Sequence, residues 1–163
     1  RSAVHGTLFV IIRRIDGIPR RESRNTMSMK PVGQTQGSGF QVGVRRTMNV
    51  SVQEAWELIT SNPGVQAWLG DVPTIRIEKG QRFLTTDGVS GEITTVNPYV
   101  NIRLSWRMTG WDKPSIVQVR TIASGSAKTT ISFHQEKLDG PDTRETMKGY
   151  WEQALNRLIG LTQ

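Results

Sequence analysis

The chain has 163 residues, no cysteine and a formal charge of +7. That length suits one domain with a sizeable core, and the lack of cysteine excludes disulfides, thiolate metal sites and thiol nucleophiles. The charge excess lies in residues 1–46, where nine basic groups stand against Asp16 and Glu22; the rest of the chain carries twelve of each sign. Nucleic-acid binding through these basic residues ranks last among the functions, because Phe9 is the one aromatic before Phe40. The longest early apolar run, residues 8–12, is too short for a signal sequence or a membrane span. The expectation is a cytoplasmic protein with no membrane partner. The chain opens Arg1-Ser2-Ala3, which reads as a trimmed chain or a piece of a longer one.

Residues 4–15 read as a strand, since Leu8, Phe9, Val10, Ile11 and Ile12 are mostly β-branched or aromatic. An arginine-rich segment follows to Ser28, and residues 31–39 read as a linker without the lysine and Ser/Thr of a phosphate loop. A basic leader over 1–38 and a folded domain over 39–163 are therefore expected. Phe40, Val42 and Val44 alternate with Gln41, Gly43 and Arg45, giving a strand over 40–49. Ser51 and Glu54 form a capping box, with Val50 and Ala55 placed as its staple, and Val52, Ala55, Trp56 and Ile59 mark one helical face. Asn62-Pro63-Gly64 stops that helix, and a second short one is expected over 65–69. A meander follows, with strands at 74–78, 82–86, 89–96, 99–108, 115–123 and 128–137, each with one dry and one wet face.

The last stretch is helical. Asp142 and Glu145 read as a second capping box before a helix opening at Thr143. Met147, Trp151, Ala154, Leu155, Leu158 and Thr162 recur at three- and four-residue steps, and Tyr150, Ile159 and Leu161 widen the stripe. About twenty residues make a rod of about 30 Å. One long helix against a seven-stranded antiparallel sheet requires the sheet to curl around it.

The order strand, two short helices, six strands, long helix resembles the START-like, or SRPBCC, superfamily with its α+β helix-grip fold. The likeness rests on Ala55-Trp56, Ala67-Trp68-Leu69, residues 130–137, and Gly149-Tyr150-Trp151 followed by Leu155 and Leu158. Within the superfamily the chain is most similar to bacterial homologues of the heat shock protein 90 ATPase activator, specifically to its C-terminal-domain-like family, over about residues 39–161. Some bacterial relatives carry a small helical module joined through a stretch like Val32-Gly33-Gln34, which residues 1–28 do not clearly match. The resemblance implies a cavity between helix and sheet for a hydrophobic or amphipathic small molecule. Its expected lining is Trp56, Trp68, Phe83, Ile93, Leu104, Trp106, Val119, Phe133, Met147, Trp151 and Leu155.

Each of these tryptophans alone reads as core; together, with Met108, they can also line a pocket. Thr121 and Gln135 are the polar residues on the inner face. Arg103, Ser105, Arg107 and Arg120 read as the wet face, and Asp87, Glu92 and Asp112 as turn residues. The two histidines, His5 and His134, have no carboxylate at ligand spacing, so no metal or cofactor is expected. Three functions remain: binding of an apolar molecule without catalysis; a co-chaperone or stress-response interaction module, with a chaperone as its partner; and a cyclase or aromatase-type enzyme, which would need a buried ionisable pair.

Overall fold

The computed structural model describes residues 39–163, together with the backbone of two earlier strands, β1 (Val4–Ile11) and β2 (Gln34–Thr35). Both pair antiparallel with β3 (Gly39–Met48), whose Val42, Val44 and Met48 point into the core. The remainder of the expected 4–15 strand lies outside the described residues.

Two short helices follow. In α1 (Val52–Thr60) the Ser51 hydroxyl accepts from the Glu54 amide at 3.0 Å and the Glu54 carboxylate accepts from the Ser51 amide at 2.9 Å, which completes the expected box. Ser61 then serves both helices: its amide closes α1 on Glu57, and its hydroxyl accepts from the Gly64 amide to cap α2 (Asn62–Trp68). Asn62-Pro63 thus begins the second helix instead of separating the two, because proline is pre-set for a first turn that has no use for its missing N–H.

The meander contains β4 (Arg82–Leu84), β5 (Val89–Asn97), β6 (Asn101–Met108), β7 (Ser115–Gly125) and β8 (Lys128–Leu138). Strand order is β1-β3-β8-β7-β6-β5-β4, every described neighbour pair antiparallel. Residues 74–78 are not a strand, so six strands, not seven, fall within 39–163. The reason is at the supposed turn: Gly80 donates to the Ile93 carbonyl and Ile93 to the Gln81 carbonyl, so the chain feeds onto β5 directly and never folds back on itself. Register shifts in the β3/β8, β5/β6 and β7/β8 pairs mark bulges, which bend strands and strengthen twist. Gly91 permits a close approach between strands, since a Cβ there would stand 1.8 Å from the Ser105 carbonyl oxygen.

The curved sheet holds α3 (Pro141–Gly160), which buries Met147, Trp151, Ala154, Leu155, Leu158 and Ile159 as the stripe predicts. Its start differs from expectation. Gly140 is the N-cap and gives no side-chain bond, Pro141 occupies the first turn, and the Asp142 and Glu145 box does not form. Glu145 is drawn to Arg144, at 2.8 Å, and Arg144 is itself buried. At the far end Leu161 and Thr162 fall beyond the helix, with Leu161 exposed. No helix among the described residues is long and apolar enough to cross a membrane.

Ser51→Ala removes one side-chain cap and is expected to lower stability by about 1 kcal/mol. Gly91→Ala, forced against backbone, is expected to cost several times more; urea unfolding of both variants, compared at equal slope, checks the ranking.

Candidate functional site

All eleven residues expected to line a cavity fall in one core cluster, each no more than 8% exposed. Trp151, from α3, stands at its centre. Its ring stacks on Phe133 with centroids 4.9 Å apart and planes 13° apart, meets Tyr150 edge-on at 4.9 Å, and leans on Trp106 at 5.9 Å. Phe133 in turn meets Trp68 at 5.9 Å. Trp56 sits at the other margin, its ring 5.9 Å from that of Tyr99. These side chains therefore spend much of their surface on one another.

A polar thread runs through them. The Trp151 indole N–H donates to Gln135 Oε1 at 2.7 Å, Gln135 Nε2 donates to the Ser115 hydroxyl at 2.8 Å, and that hydroxyl donates to the Trp106 carbonyl at 2.7 Å. Gln135, one of the two inner polar residues named from alternation, is thus the hub; Thr121, the other, donates to the Tyr99 carbonyl at 2.9 Å. Burying these groups is cheap only because each is satisfied.

Two buried donors in this part of the molecule are not. Trp106 Nε1 has no partner, and Arg144 Nη2 has none although Nε donates to the Gln41 carbonyl at 3.0 Å and Nη1 reaches Glu145. An unmatched buried donor costs about 1–3 kcal/mol, more when charged. Arg144 is 3% exposed and stands in the first turn of α3, where the helix dipole already presents positive charge. Sequence periodicity gave no hint of it, because an arginine beside a helix start reads as solvated.

A cleft of about 500 Å³ is lined by Gly39, Trp111, Asp112, Lys113, Lys137, Leu138 and Asp139. It forms where the β6–β7 loop stands over the end of β8 and the start of β3. None of its residues was among those expected to line a site. The signal present was a bulky aromatic, Trp111, within a Gly/Asp/Pro loop. The half-buried Trp111 meets Trp106 edge-on at 5.3 Å, and its carbonyl accepts from Arg107 Nε at 2.7 Å. Gly39 is required there: its φ is +76°, and a Cβ would stand 2.5 Å from the Leu138 carbonyl oxygen. A second cleft, of about 430 Å³ around the β7–β8 turn, holds no aromatic residue.

Among the described residues no group of three or more His, Asp or Glu could hold a metal, and the buried polar set contains no carboxylate or imidazole. His134 is half-buried, its Nε2 2.6 Å from Gln41 Oε1. Burial raises the Tyr150 pKa above its ordinary 10.0; Arg157 opposes this and Asp87 adds to it.

A curved antiparallel sheet closed on a C-terminal helix, with two short helices after β3, defines a START-like helix-grip protein. Residues 49–162 match the family model described as Activator of Hsp90 ATPase homolog 1-like protein, and the chain belongs to that family. Activator of 90 kDa heat shock protein ATPase homolog 1 from Homo sapiens is 24% identical over 124 residues, covering 73% of this chain and 37% of that protein. The Mus musculus protein is 24% identical over 136 residues, covering 80% and 40%. The chain thus spans about two fifths of the length of these relatives. Among solved structures, CalU16 from Micromonospora echinospora superposes with a TM-score of 0.64 at 21% identity, over 74% of this chain and 78% of that one. PFC0360w, an HSP90 activator from Plasmodium falciparum, gives 0.64 at 15% identity, over 76% and 96%. These structures share the fold.

Gln135→Leu strands the Trp151 indole N–H and is expected to cost about 2–3 kcal/mol, with part of the loss recovered when Trp151→Phe is added; a double-mutant cycle by chemical denaturation measures the coupling. Because the folded Tyr150 pKa is raised, its contribution to stability is whole below pH 10.0 and is lost as pH rises through the folded value. Tyr150→Phe should therefore flatten the fall in stability above that pH relative to the parent protein.

Proposed function

We propose that this domain binds an apolar or amphipathic small molecule at the rim of the gripped helix, in the cleft beside Trp111, without catalysing a reaction on it. The observation that carries this reading is the cleft of about 500 Å³ whose aromatic wall, Trp111, touches Trp106, a residue with an unpartnered indole N–H. Ligand sites are concave, of this size, and combine apolar walls with a few orienting polar groups. Behind Trp111, the Trp106 ring meets that of Trp151, another of the core residues named above. The absence of a buried carboxylate or imidazole among the described residues gives the enzyme reading no support. The cysteine-free composition suits a reducing compartment, and we place the protein in the cytoplasm on that ground.

A second reading, contact with an Hsp90-class chaperone, is favoured by family membership and by the relatives named as activators. Stimulation of the ATPase of the organism's own chaperone, with a stoichiometric complex in a pull-down, would support it; neither would end it.

A lipophilic dye such as 1-anilinonaphthalene-8-sulfonate is expected to bind at one site per chain. Trp111→Ala should weaken that binding by about tenfold, the loss of one stacked aromatic contact, while leaving the unfolding midpoint nearly unchanged. Absence of saturable binding to the parent protein would overturn the reading.

A further inference from the structure

The chain that joins α2 to β4 is tied firmly at both ends. At one, the Asp71 carbonyl accepts from the Thr86 amide and the Asp71 carboxylate from the Thr86 hydroxyl, each at 3.0 Å, and the Val72 carbonyl accepts from Gln66 Nε2. At the other, Gly80 donates to the Ile93 carbonyl at 2.7 Å and Ile93 to the Gln81 carbonyl at 2.8 Å. Val72 itself is buried.

Between these ties the holding is of another kind. Among the described residues, 73–79 make no hydrogen bond or ion pair with another helix or strand; their backbone bonds are turn contacts, from the Glu78 amide to the Arg76 carbonyl and from the Gln81 amide to the Glu78 carbonyl. What remains is apolar. Ile75 and Ile77, both half-buried, pack against the core, while Pro73, Thr74, Arg76, Glu78 and Lys79 are exposed. The strand-like alternation of this segment is thus realised as packing without a ladder.

Lifting the segment breaks no hydrogen bond to the rest of the domain and exposes only the two isoleucines and the surface they cover. Displacing β4, by comparison, breaks its ladder to β5 over Arg82, Phe83 and Leu84. Local opening follows the weakest tie, and few apolar contacts with no hydrogen bonds mark a segment of low local stability.

We infer that residues 73–79 form a strap that lifts off the core on its own, pivoting between Val72 and Gly80, while the sheet keeps its grip on α3. Lifted, it uncovers apolar core surface and leaves the thread from Trp151 through Gln135 to Ser115 intact. This device is separate from the cleft beside Trp111 and does not rest on the ligand reading.

Trypsin reads the lifting directly. It cuts after Arg76 only when the residues on both sides of that bond enter its own cleft, and those residues are Ile75 and Ile77. Cleavage of the whole chain after Arg76, followed by mass spectrometry and corrected for trypsin's activity on a short peptide, tracks the lifted population. The rate is expected to stay flat in urea well below the unfolding midpoint. Gln135→Leu, which weakens the grip elsewhere, should leave it unchanged, and Ile75→Ala with Ile77→Ala should raise it about tenfold or more. Should that pair fail to fold, Ile75→Val with Ile77→Val should still raise it about threefold. A rate that climbs along the global unfolding slope, or that rises with Gln135→Leu in proportion to the stability lost, would show strap and grip opening together and overturn the inference. Equal rates in the parent and the isoleucine variants would overturn it too, since the two side chains would then not be what holds the strap.

Discussion

The hydrogen bond from the Trp151 indole to Gln135 fixes how helix and sheet meet. Apolar burial drives α3 onto the sheet but is indifferent to a small rotation or slide, because any comparable area removed from water gives a similar return. A buried donor is not indifferent: moved by one helical position, it would lose its acceptor in a medium that offers no water in exchange. With Gln135 held in turn by Ser115, and Phe133 stacked on the same indole, both the axial height and the roll of the helix are set.

From that contact the rest of the architecture follows. A helix that buries a broad stripe needs a concave partner, and the bulges together with the close passage at Gly91 let the strands curl enough to provide one. The short helices complete the enclosure. Trp68 donates to the Ile59 carbonyl and ties α2 to α1, while Arg157 donates to the Ala67 carbonyl and ties α3 to α2. Ser61 ends the first helix through its amide and caps the second through its hydroxyl, so no linker separates them, and Trp68 at the end of α2 meets Phe133.

The features legible in the sequence were those decided locally or by simple period. Ile102, Leu104 and Trp106 alternate with Arg103 and Ser105, and one buried face is the only way to satisfy that pattern. The Ser51 and Glu54 box formed because nothing competed with it. The same signature at Asp142 and Glu145 did not, since Pro141 had already opened the helix and Arg144 had taken the glutamate. Residues 74–78 had strand-like alternation, but the chain after them joins β5 at Gly80 and Gln81 without a hairpin turn, a condition that no local window contains. The cleft was illegible for a stronger reason. Gly39, Trp111 and Lys137 come from three separate elements, and only the pairing of β3 with β8 and the placement of the β6–β7 loop bring them together.

That origin also bears on where chemistry can occur in such a fold. The centre of the grip is apolar and its polar thread is closed on itself, from Trp151 through Gln135 and Ser115 to the Trp106 carbonyl. A ligand entering there would have to displace contacts already made, at the cost of packing that small core changes readily expose. At the rim the balance is reversed. The cleft beside Trp111 stands open there, and Asp112, Lys113 and Lys137 along it are exposed. Native proteins match almost all of their buried donors, and the closed thread at the centre follows that rule, so a guest is more easily taken up where no paired group has to be released.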